Sequence, residues 1–324
     1  MWEKVISNCI LDDPRTKVRH FLIDTDTASD DAVALILALQ NPQIQVEAIT
    51  VVAGNVPLTQ GIQNALYTVE LCGKEIPVFA GSEKPLNRPL ETAQFVHGDD
   101  GMGDIGLLLQ GREPAAGDAL EVIPTLINQL AGEIELVTLG PLTNIARCLQ
   151  SDPSLAQKVK LCTMMGGIGR EHGNITPVSE YNVWTDPEAA QIVFGSGIPL
   201  RMVGWDISRN YAWMDETTAS QVRAINTPLS KFAMDIQQTV NTFAKNVSKL
   251  PGFDLPDPIA MAIAIDPSLI LESKRLYVEV ITANDVTRGQ TVVDHMSILN
   301  RTPNVEVVLE ASREKFLSML KGAL

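Results

Sequence analysis

The residues whose types and spacing point most directly to chemistry are four aspartates within one eight-residue stretch. They are Asp24, Asp26, Asp30 and Asp31. Four like charges on a short turn repel one another, and the dipole of a following helix offsets only about 0.3–1 kcal/mol for each acid near its start. The spacing therefore predicts that this turn binds a cation, which would compensate the repulsion.

Two elements must position these acids. Residues 18–23 form an apolar run that predicts a buried strand. Residues 31–40 place Ala, Val, Leu and Ile on one face of a predicted helix, with Ser29 as its N-cap. The acids then lie on a strand-to-helix turn. In a parallel α/β sheet such turns lie at the carboxyl ends of the strands, where ligands bind.

The rest of the chain alternates predicted strands and helices, with no repeat, linker or low-complexity segment. This pattern predicts an α/β protein, a single doubly wound domain over residues 18–324 with a central, mostly parallel, Rossmann-like sheet. Residues 1–17 are predicted to be an N-terminal extension. Residues 81–116 are predicted to form a long surface loop, residues 205–213 a second loop, and residues 216–249 a helical stretch.

Composition excludes several classes of function. The 324-residue chain has 25 Lys plus Arg against 39 Asp plus Glu and a formal charge of −14, without a basic run, so it is a poor binder of nucleic acid or anionic membranes. Its four cysteines lack metal-ligand spacing, which is typical of reduced thiols. There is no long apolar stretch, and charges stand where a signal peptide needs an apolar core. The sequence thus predicts a soluble, cytoplasmic protein.

Two other classes of acidic loop were compared with the turn. An EF-hand is excluded, because counting from Asp24 places Ala28, Ser29 and Leu35 where that loop needs an oxygen ligand, Gly and Glu. A haloacid-dehalogenase-type Mg²⁺ phosphohydrolase, with Asp24 as nucleophile, is an alternative, although Ala28 replaces the Thr or Val of those enzymes. Capping of the following helix accounts for one or two of the acids but not for all four.

The pattern Asp24-Thr25-Asp26-x-x-x-Asp30-Asp31-Ala32 closely resembles the signature of the nucleoside hydrolases, the inosine/uridine-type nucleoside N-ribohydrolases. The resemblance covers nearly the whole chain and is highly specific when its segments are taken together. The further matching segments, in family order, are Val52-Ala53-Gly54-Asn55, Leu139-Gly140-Pro141-Leu142-Thr143-Asn144, Met165-Gly166-Gly167, Gly173-Asn174, Glu180-Tyr181-Asn182-Val183, Asp186-Pro187-Glu188-Ala189-Ala190, Asp257-Pro258 and Thr287-Arg288-Gly289-Gln290-Thr291-Val292-Val293-Asp294.

This resemblance implies a Ca²⁺ ion that holds the attacking water. The implied ligands are Asp26, Asp31, the main-chain carbonyl of Leu139 and Asp257, an all-oxygen set that suits Ca²⁺. Asp26 is also the implied general base, because a carboxylate beside a metal-activated water can accept its proton. Asp24 is implied to brace the turn in the second shell of the metal rather than to react.

The resemblance also implies a ribose site. Binding the sugar away from the bond that breaks can drive its ring toward the flattened, cation-like transition state of glycosidic cleavage. The side chains implied to hold the ribose hydroxyls are those of Asp30, Asn55, Asn174, Glu180 and Asn182, with Met165 under the sugar.

Two positions depart from the family pattern. Thr-Ala at 27–28 replaces a frequent Pro-Gly, and Pro256 stands where several members have a His that protonates the leaving base. His97 is the candidate for the missing acid, because its His-Gly-x-x-Gly segment resembles one that contributes a pocket His in some members. Stacking of the base on Trp205 or Trp213 is the other candidate route, since purine-preferring members stack the base between aromatic rings.

The sequence therefore predicts a Ca²⁺-dependent enzyme of nucleoside metabolism or purine salvage that splits ribonucleosides into ribose and a free base. A non-catalytic, metal-dependent nucleoside or ribose binder is the alternative from another class, although a pure binder has no need of Asp26 beside the water. The resemblance implies a homodimer or homotetramer by analogy. Purine and pyrimidine bases both remain open as substrates.

Overall fold

Strand β1 (Arg19–Thr25) lies within an eight-stranded sheet in a computed structural model that describes residues 18–324. Its side chains alternate between two apolar layers, since Phe21 and Ile23 belong to one hydrophobic cluster and Leu22 to the other. A strand covered on both faces has no polar side, which explains why this segment is a continuous apolar run. The predicted extension at residues 1–17 lies outside the described residues.

The sheet has the order β3-β2-β1-β4-β5-β6-β12-β9, and only the edge strand β9 is antiparallel to its neighbour. Two further pairs, β7 with β8 and β10 with β11, are antiparallel. The remaining strands are β2 (Ile44–Val51), β3 (Val78–Ala80), β4 (Ile134–Thr138), β5 (Leu161–Met165), β6 (Leu200–Val203), β7 (Trp213–Met214), β8 (Phe253–Asp254), β9 (Ile270–Leu276), β10 (Val278–Val280), β11 (Thr291–Val293) and β12 (Val305–Ala311).

Helices cover both faces of this sheet, which confirms the predicted doubly wound α/β class. No helix within residues 18–324 is long and apolar enough to cross a bilayer. The helices are α1 (Ser29–Gln40), α2 (Leu58–Leu71), α3 (Gln94–His97), α4 (Ala119–Gln129), α5 (Thr143–Ser151), α6 (Tyr181–Thr185), α7 (Pro187–Gly195), α8 (Trp205–Tyr211), α9 (Glu216–Arg223), α10 (Pro228–Asp235), α11 (Gln238–Asn246), α12 (Pro256–Ile265) and α13 (Arg313–Ala323), with short 3-10 helices at Pro153–Gln157 and Pro267–Leu269.

The strand order reverses between β1 and β4, because the chain builds β2 and β3 on one side of β1 and β4 to β6 on the other. In open α/β sheets ligands bind beyond the carboxyl ends of the strands at such a switch point. The acidic turn follows β1 directly. The topology therefore places the aspartates where a ligand would bind.

Helices α1 and α12 pack against each other and are apolar almost all round. A helix that is hydrophobic on every side is stable only when it is buried. Their first turns carry Asp30 and Asp31 in α1 and Asp257 in α12. Burial of these two helices therefore brings acids from distant parts of the chain to one place.

Several local predictions are wrong. Ser29 is already inside α1, and Ala28 occupies the N-cap position, where its N–H donates to Oδ2 of Asp31 at 2.8 Å. Residues 205–213 are mostly helix α8, which begins after Gly204. Residues 216–249 contain α9, α10 and α11 rather than one helix, because the chain turns at Asn226 with a φ of 64° and restarts at Pro228. The predicted loop at residues 81–116 is present, and it includes the short helix α3.

Leu35 tests the role of α1 in the core, because its side chain is fully buried in the cluster that α1 shares with α12. We expect Leu35→Ala to lower the free energy of unfolding by about 2–5 kcal/mol through lost burial and a residual cavity. Leu108 is 87% exposed, so Leu108→Ala is the matched control. It should change the free energy of unfolding by less than about 0.5 kcal/mol. Urea unfolding of both variants measures these free energies. Similar losses in the two variants would contradict the assignment of Leu35 to the buried core.

Candidate active site

A cavity of about 430 Å³ lies at the carboxyl edge of the sheet, a volume typical of small-molecule sites. Its walls combine segments that follow different strands. Asp30 follows β1, Asn55 follows β2, Met165 ends β5 and Trp205 follows β6, while Asp257 comes from the start of α12. The cavity therefore coincides with the ligand position that the strand order predicts.

The structure brings most of the sequence-predicted site residues together. The predicted residues that line the cavity are Asp30, Asn55, His97, Met165, Asn174, Glu180, Asn182, Trp205 and Asp257. Asp24, Asp26, Asp31, Leu139 and Trp213 are not among the lining residues. The first four of these are fully or almost fully buried.

The acids form one buried cluster. Carboxylate oxygens of Asp30, Asp31 and Asp257 lie within 4.8 Å of one another, a spacing that could hold a metal ion. Asp26 is fully buried, and its charge repels those of Asp31 and Asp257. The acids of the turn thus lie beside Asp257 of α12, the residue that the family resemblance groups with them.

Asp26 is enclosed by two glycine-containing turns. The backbone N–H of Asn55 donates to Oδ2 of Asp26 at 2.6 Å. A Cβ on Gly54 would lie 2.1 Å from Oδ2, and a Cβ on Gly140 would lie 2.7 Å from Oδ1. No larger residue fits at either position without moving Asp26. The glycines after β2 and β4 therefore allow the backbone to close around this carboxylate.

Several oxygens of the cluster have no hydrogen-bond donor. Oδ1 of Asp26, of Asp30 and of Asp257 are buried, and no described residue donates to them. Unpaired buried oxygens are costly, and a cation would supply the missing partner. The carbonyl oxygen of Leu139 accepts one bond from Nδ2 of Asn182 at 2.7 Å and keeps a second lone pair. These donor atoms are all oxygens, so they fit a hard cation such as Ca²⁺.

Burial shifts the ionisation of these acids. Desolvation, followed by repulsion from Asp30, raises the pKa of Asp31 to about 7. Desolvation and repulsion by Asp31 raise the pKa of both Asp26 and Asp257 well above the usual range. Burial also raises the pKa of Glu180 to about 7. Without a cation, the cluster therefore binds protons near neutral pH.

A shell of neutral donors holds the acidic turn in place. Oδ1 of Asp24 accepts hydrogen bonds from Oγ1 of Thr50 at 2.5 Å and from Nδ2 of Asn144 at 2.8 Å. Oγ1 of Thr25 donates to Oδ1 of Asp31 at 2.5 Å. The sequence analysis gave these three donors no role. Thr25 and Asn144 lie in matched segments, which could have indicated them, whereas Thr50 is a strand threonine with no signal of its own.

The polar wall of the cavity is held by the backbone. Glu180 caps α6 by accepting from the N–H of Asn182 at 2.8 Å, and it also accepts from the N–H of Gly167, after β5, at 2.9 Å. Oδ1 of Asn174 accepts from the N–H of Tyr181 at 3.0 Å. These side chains are thus oriented before any ligand binds, which suits recognition of hydroxyl groups.

Another part of the wall is mostly apolar and comes from helices α3 and α11. Phe95 and Phe243 line it with ring centroids 5.8 Å apart. Trp205 lines the cavity, whereas Trp213 stacks under the guanidinium of Arg209, which lies 5.0 Å from its ring centroid. The sequence analysis missed both phenylalanines, because they belong to no matched segment.

The fold and the site together define a small-molecule enzyme of the doubly wound α/β class with a carboxylate-rich centre. The family model described as "Inosine-uridine preferring nucleoside hydrolase" matches residues 21–318. The chain therefore belongs to that family and is an N-glycosyl hydrolase of ribonucleosides. This confirms the predicted family and enzyme class, and it does not support the phosphohydrolase or the non-catalytic binder.

The chain is similar to characterised members over nearly its full length. It is 35% identical over 308 residues to the pyrimidine-specific ribonucleoside hydrolase RihA of Shewanella sp. (strain ANA-3), covering 94% of this chain and 96% of that protein. The structure of the plant nucleoside hydrolase PpNRh1 matches with a TM-score of 0.89 and 31% identity, covering 94% and 98% of the two chains. A purine-preferring ribonucleoside hydrolase from Gardnerella vaginalis matches with a TM-score of 0.86 and 29% identity, covering 94% and 99%.

The raised pKa values predict that Ca²⁺ stabilises the protein more at about pH 8 than at about pH 6. A carboxyl group whose pKa is raised by folding stabilises the folded protein fully below the unfolded pKa near 3.8. For Asp31 this stabilisation is lost as the pH rises through about 7. The metal-free cluster therefore becomes repulsive at the higher pH. Thermal unfolding in EDTA and in Ca²⁺ at both pH values measures the change in Tm. Asp257→Asn should shrink the gain, and an equal gain at both pH values would count against the cluster as the metal site.

Proposed function

We propose that this enzyme hydrolyses its ribonucleoside at a Ca²⁺ ion held by Asp26, Asp31, Asp257 and the carbonyl of Leu139. The observation that supports the proposal is the buried acid cluster beside the cavity, with its unpaired oxygens on Asp26 and Asp257. When bound, Ca²⁺ would compensate the buried charge and lower the pKa of the attacking water. Asp30 is close enough to share the ion, but the family resemblance implies that it holds the sugar, and it lines the cavity where the sugar would bind.

Asp26 is the proposed general base. Its Oδ2 is held by the N–H of Asn55, whereas its Oδ1 has no donor among the described residues. Because a carboxylate oxygen has two lone pairs, Oδ1 would have room for both the ion and the proton of the attacking water. With Ca²⁺ bound, the positive charge would keep Asp26 ionised near neutral pH, as a general base must be.

The polar wall is the proposed ribose site. Asp30, Asn55, Asn174, Glu180 and Asn182 would bind the hydroxyls, with Met165 under the ring. Because Glu180 and Asn174 are already fixed by backbone N–H groups, little ordering remains when the sugar binds. Their binding energy can then favour the flattened ring of the transition state.

The apolar wall is the proposed base site. Pro256 lines the cavity but has no proton to give, so we assign assistance of the leaving base to His97. Trp205 is placed to stack on the base, whereas Trp213 would act on it only through Arg209. The similar proteins include pyrimidine-specific and purine-preferring enzymes, so both classes of base are candidate substrates. We further propose that the protein is a homodimer or homotetramer. It would act in the cytoplasm, in purine salvage or related nucleoside metabolism.

A nucleoside panel tests the reaction and its metal together. We expect release of reducing sugar from at least one purine or pyrimidine ribonucleoside, loss of release in EDTA, and recovery with Ca²⁺. Asp26→Ala should fold, because the substitution removes a costly buried charge. Its turnover should fall at least about 10³-fold, because the variant lacks both the general base and one metal ligand. Circular dichroism checks the fold. No release from any nucleoside would reject the function, and a variant within about tenfold of wild type would reject the role of Asp26.

The role of His97 can be separated from sugar chemistry by changing the leaving group. We expect His97→Ala to lower kcat/KM for inosine and uridine by about 10²–10⁴-fold, since it removes a group that assists the departing base. p-Nitrophenyl riboside releases a stable anion, so its hydrolysis should change far less. His20→Gln, at a histidine outside the cavity that pairs with Glu47, is the matched control. Equal losses on all three substrates would show that His97 has no specific role at the base.

A further inference from the structure

His97 lies at the end of a chain of hydrogen bonds that begins at Gln237. Gln237 is buried, between α10 and α11, and takes no part in lining the cavity. Its Nε2 donates to the main-chain carbonyl of Ser29 at 2.8 Å, and its Oε1 lies 3.1 Å from Oγ of Ser29. Oγ of Ser29 in turn lies 3.0 Å from Nδ1 of His97. Three buried side chains are thus connected in a line.

The first bond fixes the direction of all the others. A carbonyl oxygen can only accept, so the group of Gln237 that faces the Ser29 carbonyl must be its NH₂. Its Oε1 then faces Oγ of Ser29 and can only accept, so the Ser29 hydroxyl donates to it. A hydroxyl has a single proton, which leaves its oxygen as an acceptor toward His97. Nδ1 of His97 must therefore carry a proton.

We propose that Gln237, acting through Ser29, holds the neutral ring of His97 as the Nδ1–H tautomer, so that Nε2 is a hydrogen-bond acceptor at the cavity. Gln237 is then a positioning residue. The other group near Nδ1 agrees with this, because Oδ1 of Asp30 lies 3.7 Å from it and is also an acceptor. No residue within 18–324 hydrogen-bonds to Nε2, and the ring lines the cavity.

This tautomer determines which ligand group His97 can recognise. A bare Nε2 accepts from an N–H or O–H group, such as a ring N–H or an amino group of a base, and it repels a carbonyl oxygen. A proton can leave from Nε2 only after the ring has taken up a second one. The consequence for the base rests on the proposed function, whereas the tautomer itself does not.

The tautomer can be measured directly in the full-length protein. Long-range ¹H–¹⁵N correlation spectra of the protein labelled with ¹⁵N in its four histidines distinguish Nδ1–H, Nε2–H and doubly protonated rings. The spectrum of His97→Gln identifies the signals of His97 by their loss. At about pH 8.5, well above the ordinary histidine value, we expect the Nδ1–H pattern. An Nε2–H or doubly protonated ring would overturn the proposal.

Variants at Gln237 test whether the relay causes the tautomer. Gln237→Leu removes the acceptor, so the Ser29 hydroxyl is free to donate to Nδ1, and we expect the ring to change toward Nε2–H. Gln237→Glu keeps an oxygen for the Ser29 hydroxyl and should retain Nδ1–H, but it loses the donor to the Ser29 carbonyl, so circular dichroism must first show that it folds. Gln237→Met, which matches the length of Gln, replaces the leucine variant if that one fails to fold. An unchanged tautomer in a folded Leu or Met variant would overturn the role of Gln237.

Activity then tests the consequence for the site. We expect kcat/KM for inosine or uridine to fall by up to about tenfold in Gln237→Leu and to recover in Gln237→Glu, with hydrolysis of p-nitrophenyl riboside much less affected. Equal losses on all substrates, without recovery, would overturn the positioning role. If the wild-type protein splits no nucleoside, the proposed function fails, but the spectra still decide the tautomer.

Discussion

The burial of several carboxylates in one place is the constraint on which the rest of this structure depends. Asp26, Asp31 and Asp257 are all nearly inaccessible, and the charge of Asp31 raises the cost of ionising both of the others. Such an arrangement persists only when the surrounding structure fixes the acids in place and prevents them from reaching solvent. The scaffold does this with α1 and α12, whose apolar sequences require full burial, and with Gly54 and Gly140, which bring the backbone against Asp26. The folding energy of the core thereby maintains a centre that would otherwise repel itself.

The same constraint explains which parts of the site could be predicted from the sequence. The acidic turn was recognisable because strand, acids and helix are contiguous, so local patterns contain all the information. Asp257 has no such local signal, and its place came from the family resemblance, since only the packing of α12 on α1 brings it to the cluster. Ser29 was misassigned for a related reason. Asp31 satisfies the backbone at the start of α1, which leaves the Ser29 hydroxyl available for His97 and Gln237.

The two walls of the cavity differ in the same way. On the polar wall, Glu180 and Asn182 lie in matched segments because backbone N–H groups and a strand-end carbonyl dictate their types and spacing. On the apolar wall, Phe95 and Phe243 come from the short helices α3 and α11 and lie in no matched segment. Side chains that only fill space and exclude water carry no fixed spacing, so the proposed base site was the part of the enzyme that the sequence described least. The same freedom would allow related enzymes with one sugar site to differ in the bases they accept.

The proton balance of the reaction connects the two walls. Hydrolysis of a nucleoside removes a proton from water on one side of the sugar and requires one at the departing base on the other. In the proposed mechanism, Asp26 receives the first proton because its Oδ1 has no donor. At the other wall, the relay from Gln237 leaves Nε2 of neutral His97 without a proton. In their resting forms both groups are therefore proton acceptors. The proton that the base needs must enter the site from solvent or from a doubly protonated His97. With Pro256 in place of a histidine, supply of that proton, rather than activation of the water, is therefore the step for which residues 18–324 provide no dedicated side chain.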